Sequence, residues 1–168
     1  MFFGTKEPPN YRLTLNNSHI QWVVKWKYLG VVLKSGKCFG CSVKDRVKAF
    51  YRSLNSILRV EGRSNDMTFL RLIETHYVPI LSYAIEIVHV ADRDERRSLR
   101  VAYNVIFRKL FSYRRFESVT NLQHSLERKT WEELVQTCQS RFIGRAKKVN
   151  RDTLVYQSTL ITRLLLPT

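Results

Sequence analysis

The sequence has no apolar run long enough to cross a bilayer. The longest candidate, VPILSYAIEIVHV, falls short of the roughly 18 to 20 residues needed and carries Glu86. Acidic residues are scarce too: 14 Asp and Glu stand against 29 Lys and Arg, a formal charge of +15. Such an imbalance calls for a polyanionic partner. Cysteine is sparse, and three of them suit a reducing compartment better than a disulfide framework. The first residues, MFFGTKEPPN, lack the basic front, apolar stretch and small-residue cleavage site of a signal peptide. There is no glycine-rich phosphate loop and no nucleophile-elbow pattern. Internal repeats and low-complexity tracts are missing as well. Together these absences predict a soluble intracellular protein of nucleus, cytoplasm or both, with no membrane partner.

What is present is core material. Of 168 residues, 44% are hydrophobic and 12% aromatic, enough for a globular body. The basic residues are rich in Arg and interleaved with Tyr, Phe and Trp, which suits phosphate forks and stacking. Nucleic acid is therefore the expected partner; a membrane surface is only the runner-up reading of the charge.

From Tyr11 to Leu33 the pattern alternates: YRLTL, a polar NNSH turn, then IQWVV and KYLGVVL. It predicts two or three short antiparallel strands, with Pro8 and Pro9 marking an extended approach. After the loop SGKCFGC the period becomes helical. Val43, Val47, Phe50, Leu54 and Ile57 predict a helix opening at Ser42 as N-cap. Asn65 or Asp66 caps a second helix carrying Leu70, Ile73, Tyr77, Leu81, Ala84 and Val88, kinked or broken at Pro79. Asp92 caps a third with Leu99, Ala102, Ile106 and Leu110. Ser118 opens a short helix to Leu126, and Thr130 with Glu133 forms a capping box before a helix lined by Leu134, Cys138 and Phe142. The last stretch, TLVYQSTLITRLLLP, reads as strand or helix docking on the body.

At 100° per residue, with Val43 at zero, the apolar residues of the first helix lie within roughly 60° of zero. Lys44, Lys48, Arg52, Asn55 and Arg59 fall at roughly 100° to 180°, a continuous basic stripe that could track a duplex backbone. A solvated helix face is the ordinary alternative. Arg93, Arg96, Arg97 and Arg100 form a second group, read as lying opposite the apolar face of the third helix. They oppose the helix dipole there, a mild cost that a bound polyanion relieves.

Catalytic chemistry finds little support. The closest approach to a two-cation carboxylate set is Asp92-Arg93-Asp94-Glu95, which a capped helix start explains equally. Cys38 and Cys41 make half of a zinc site, but Cys138, His19, His76, His89 and His124 show no ligand spacing. The residues themselves predict no catalytic centre, no metal and no cofactor.

The order of segments resembles a known family. KWKYLGVVL is similar to the YLG-containing primer-grip segment that follows the palm in reverse transcriptases of non-LTR, LINE-type retrotransposons. SVKDRVKAFYRSL resembles the first thumb helix of that family, THYVPILSYAIEIV the second, and RVAYNVIFRKLF the next. NLQHSLERKTWEELV and SRFIGRAKK resemble the distal thumb. Only the YLG segment and the Pro79-x-Leu81-x-Tyr83 stretch are specific.

The resemblance implies that Trp26, Tyr28, Leu29 and Gly30 lie near a primer terminus, with Lys44, Lys48 and Arg52 along a primer–template backbone. It implies an RNA/DNA or DNA duplex as ligand, and fingers and palm elsewhere in the parent polymerase, which would use Mg. The aromatic-x-Asp-Asp motif of the family is not here; the sequence has no adjacent Asp-Asp, so the chain alone is expected to be inactive. A stand-alone basic helical adaptor for RNA, DNA or protein is the competing reading. The expected fold is mainly α: an end-of-palm β-hairpin over 1–36, a helical thumb-like bundle over 37–150 and a docking or tail segment over 151–168.

Overall fold

The computed structural model describes residues 1, 13–37, 39–60, 66–86, 88 and 93–148. Cys38, Asn65, Asp92 and the segment 151–168 lie outside the described residues. The fold is mainly α, with antiparallel strands leading into helices.

Five short strands appear where two or three were expected. β1 (Leu13–Leu15) pairs with β2 (Ser18–Ile20). β3 (Lys25–Tyr28), β4 (Val31–Lys34) and β5 (Gly40–Ser42) form an antiparallel sheet in that order. The two hairpin turns are built alike. Asn16 and Asn17 have φ of 48° and 59°, and Leu29 and Gly30 have φ of 44° and 79°. Two successive left-handed residues match the right-handed twist of paired strands. Asn and Gly accept this conformation readily; Leu does not.

β5 lies inside the stretch read as a loop. It is too short to carry an alternating pattern, and its register, Leu33 opposite Cys41, is set by β4. Cys41 is fully buried.

α1 (Lys44–Val60) starts one residue later than a Ser42 cap implies. The Val47 N–H donates to the Val43 carbonyl at 2.9 Å, which makes Val43 the N-cap, while Ser42 closes β5. The N–H of that N-cap residue is satisfied from far along the chain, as an N3 glutamate would satisfy it in a capping box: Glu95 Oε2 accepts from the Val43 N–H at 3.0 Å, and its Oε1 pairs with Lys34 Nζ at 2.7 Å. One carboxylate thus ties the sheet, the start of α1 and a later helix together.

α2 (Asp66–His76) and α3 (Val78–Ser82) are separated at Tyr77, with Pro79 in the first turn of α3. Pro79 lacks an N–H, so a break just before it costs the least. α4 (Arg93–Leu110) runs beside α1 in the same direction, since Val43 meets Glu95 at one end and Lys109 Nζ donates to Asn55 Oδ1 at the other. α5 (Thr120–Ser125) is capped at Val119, one residue beyond the expected Ser118. α6 (Trp131–Lys148) opens on the expected capping box: the Thr130 N–H donates to Glu133 Oε2 at 2.8 Å, and the Glu133 N–H to Thr130 Oγ1 at 3.3 Å.

One core joins these helices: Phe50 and Leu54 of α1, Leu70 and Ile73 of α2, Leu81 of α3, and Leu99, Ala102 and Ile106 of α4. α6 buries Trp131 and Val135 in place of the expected Leu134, Cys138 and Phe142. Leu134 and Cys138 are half-buried at the margin and Phe142 is exposed. The large Trp131 ring sets the rotation of α6 by packing on Tyr103, with centroids 5.5 Å apart.

Candidate nucleic-acid interface

The β3–β4 hairpin is a sheet edge whose aromatic residues are not covered. Trp26 pairs across the ladder with Leu33, and Tyr28 with Val31, so all four share one face of the pleat. Val31 is buried and Leu33 packs on the core, yet Trp26 and Tyr28 are 59% and 61% exposed. At the tip, Leu29 is 72% exposed. An apolar side chain in solvent on a left-handed backbone costs about 1–2 kcal/mol in conformation and gains nothing by burial. Leu29 does not pack beneath α1.

That tip is fastened to the helical body. The Tyr83 hydroxyl donates to the Leu29 carbonyl at 2.7 Å. A Cβ added at Gly30 would meet Tyr83 Cε1 at 3.4 Å, ordinary van der Waals contact, so it is the φ of 79° and not the space beside the ring that favours glycine here. Arg46 of α1 completes the latch: its Nη1 donates to the Tyr83 carbonyl at 2.6 Å, and its guanidinium lies 5.7 Å from the ring centroid. Burial lowers the pKa of Arg46, opposed by neighbouring Cys41 and Tyr83. The two specific stretches of the sequence, Tyr28-Leu29-Gly30 and Pro79-x-Leu81-x-Tyr83, therefore meet in space. Arg46 was not singled out in the sequence, because a lone arginine at the margin of an apolar face has no local signature.

The α1 stripe folds as its spacing implies. Lys44, Lys48, Arg52, Asn55 and Arg59 are all exposed along one side of the helix. Lys109 joins them from α4 through its bond to Asn55.

The α4 arginines fall elsewhere, and not opposite the apolar face. Arg93, Arg96, Arg97 and Arg100 line a groove of about 780 Å³ between α4 and α6, with Trp131 and Val135. With Leu99 at zero and 100° per residue they span roughly 60° to 160°, a shoulder beside the core stripe. Glu132 faces Arg100 across the groove at 3.5 Å, with both side chains at least half exposed. Such a pair is weak.

Glu95 of the Asp92–Glu95 run is spent on Val43 and Lys34, and no group of three His, Cys, Asp or Glu side chains among the described residues could hold a metal ion. No helix among the described residues is long and apolar enough to cross a membrane. Searches of protein families, curated proteins and solved structures find nothing that matches this chain.

Proposed function

We propose that this chain is the primer-grip and thumb segment of a non-LTR retrotransposon reverse transcriptase, and that it holds a primer–template duplex without performing the chemistry. The observation that supports this most is the latch. The turn expected at a primer end is held by the tyrosine of the other specific stretch, 2.7 Å from its hydroxyl to the Leu29 carbonyl, and by an arginine at the head of the basic helix.

The latch and α1 together make one stiff unit. The hairpin presents Trp26, Tyr28 and Leu29 as exposed apolar surface, suited to stacking on the sugar and base of a strand end. Lys44, Lys48, Arg52 and Arg59, beside Asn55, supply phosphate contacts that are independent of sequence. The α4 arginines form a second basic surface on a different side of that helix from Lys109, outside this duplex path. Carboxylates for the two Mg ions would come from the palm of the parent polymerase, and no step of that chemistry is assigned to residues of this chain.

Binding of a labelled RNA/DNA duplex over a salt series tests the reading. The K44E/K48E/R52E variant should lose most of its affinity, and its salt slope should fall by roughly 2.7, about 0.9 for each lost phosphate contact. Unchanged affinity and slope would remove the stripe from the interface.

A further inference from the structure

The groove between α4 and α6 has features that an ordinary solvated helix face lacks. Four arginines enter it from one helix, against the carboxylates of Asp94 and Glu132. Arg93, Arg96 and Arg97 form no ion pair among the described residues, and the pair between Arg100 and Glu132 is long. Arg96 is half-buried, and its Nε is buried without a hydrogen-bond partner among the described residues. A buried guanidinium N–H with no acceptor among the described residues is costly unless an anion completes it.

The opposite wall is different in kind. α6 offers the amides of Gln136 and Gln139 above a floor of Trp131. Amides both donate and accept, so they can meet base edges or ribose hydroxyls that arginine alone would not discriminate. Packed helices lie about 8–10 Å apart axis to axis, and the seam between them offers a path for one strand. The α1 stripe is on the other side of α4: Lys109, which joins the stripe, falls at roughly −80° on the wheel that puts the groove arginines at roughly 60° to 160°. A duplex lying along α1 therefore leaves the groove open.

We propose that this groove binds single-stranded nucleic acid through its phosphates, separately from the duplex on α1. The inference rests on the reading that the chain binds nucleic acid, and deepens it by giving the second basic surface its own ligand. Arg93, Arg97 and Arg100 take successive phosphates, and Arg96 holds one from beneath. The strand emerging from a bound duplex is the natural occupant, because it carries the same backbone and has lost its partner.

The test is fluorescence anisotropy with a single-stranded RNA, a single-stranded DNA and a blunt RNA/DNA duplex. Arg93 and Arg97 are exposed, so R93Q/R97Q leaves the core intact. It should weaken single-strand binding tenfold or more, lower the single-strand salt slope by roughly 1.4, and leave duplex affinity within twofold. E132Q removes the carboxylate facing Arg100 and should tighten single-strand binding a few-fold, a gain that misfolding cannot imitate.

If the wild-type chain binds neither form, the nucleic-acid reading fails and takes this inference with it. If it binds duplex but R93Q/R97Q leaves single-strand affinity unchanged, or weakens both forms equally, only the separate groove is overturned. Displacement of the strand by a polyglutamate peptide at equal charge concentration would also overturn it, assigning the groove to an acidic protein segment.

Discussion

The helical body and the strands ahead of it treat their apolar residues in opposite ways. In the body, Phe50, Leu54, Leu70, Ile73 and Leu81 are fully buried around one core. In β1, β3 and the residues flanking β3, Leu15, Val24, Trp26, Tyr28 and Leu29 are between 59% and 72% exposed, while β4 and β5 bury Val31 and Cys41. The body is held by hydrophobic burial; the β3–β4 hairpin lends Val31 and Leu33 of β4 to that core, while β3 and the tip are fastened by a few directed contacts: Tyr83 to Leu29, Arg46 to Tyr83 and Lys34 to Glu95. An element held by polar latches keeps its apolar surface free for a ligand. The difference therefore marks the hairpin as the part that meets something else.

The widest contrast is in stability. Phe50→Ala should cost about 3–5 kcal/mol through the cavity it leaves, while Trp26→Ala should change stability by no more than roughly 0.5 kcal/mol. Urea denaturation of the two variants checks this, and a large cost at Trp26 would mean that the hairpin is part of the core. A finer probe lies at the tip. Leu29→Gly relieves the left-handed backbone and should stabilise the hairpin by up to about 1 kcal/mol, yet lower duplex affinity because the exposed side chain is gone. Amide exchange at Val31 reads the first effect and a duplex titration the second. Loss of both stability and affinity would show that Leu29 serves the fold.

The smallest effect belongs to the body alone. Hydrogen bonds from the Thr130 backbone and side chain hold the Glu133 carboxyl below its ordinary value of 4.5. A depressed carboxylate contributes stability above its unfolded pKa and loses it as pH falls through the folded value. The start of α6 should therefore fray only below about pH 4.5, the ordinary glutamate value, followed by the NMR shift of the Thr130 amide. The hairpin should show no step there.

Much of the body was legible because its information is local. The three- and four-residue steps of Val43, Val47, Phe50 and Leu54 place α1 and its stripe, Pro79 marks the break, and Thr130 with Glu133 marks a helix start. What sequence could not reveal depends on distant partners. Glu95 reads as one more acid in a first helical turn, yet it caps a helix 52 residues earlier in the chain. The α4 arginines read as solvent-facing because the groove exists only once Trp131 has set the rotation of α6. Tyr83 belongs to a recognisable stretch, but its hold on the Leu29 carbonyl, 54 residues away, has no counterpart in spacing. β5 is legible only as the third strand of a sheet whose first two are already placed.

The central claim is that the hairpin tip sits at a primer end while α1 runs along the duplex behind it. Photocrosslinking tests it most directly, with a photoreactive phenylalanine analogue in place of the exposed Leu29 and a primer–template whose strands carry different labels. The account predicts crosslinks concentrated within a few nucleotides of the primer 3′ end, and lost when Lys44, Lys48 and Arg52 are changed to Glu. Crosslinks spread evenly along the duplex, or none in a protein that still binds it, would contradict the account.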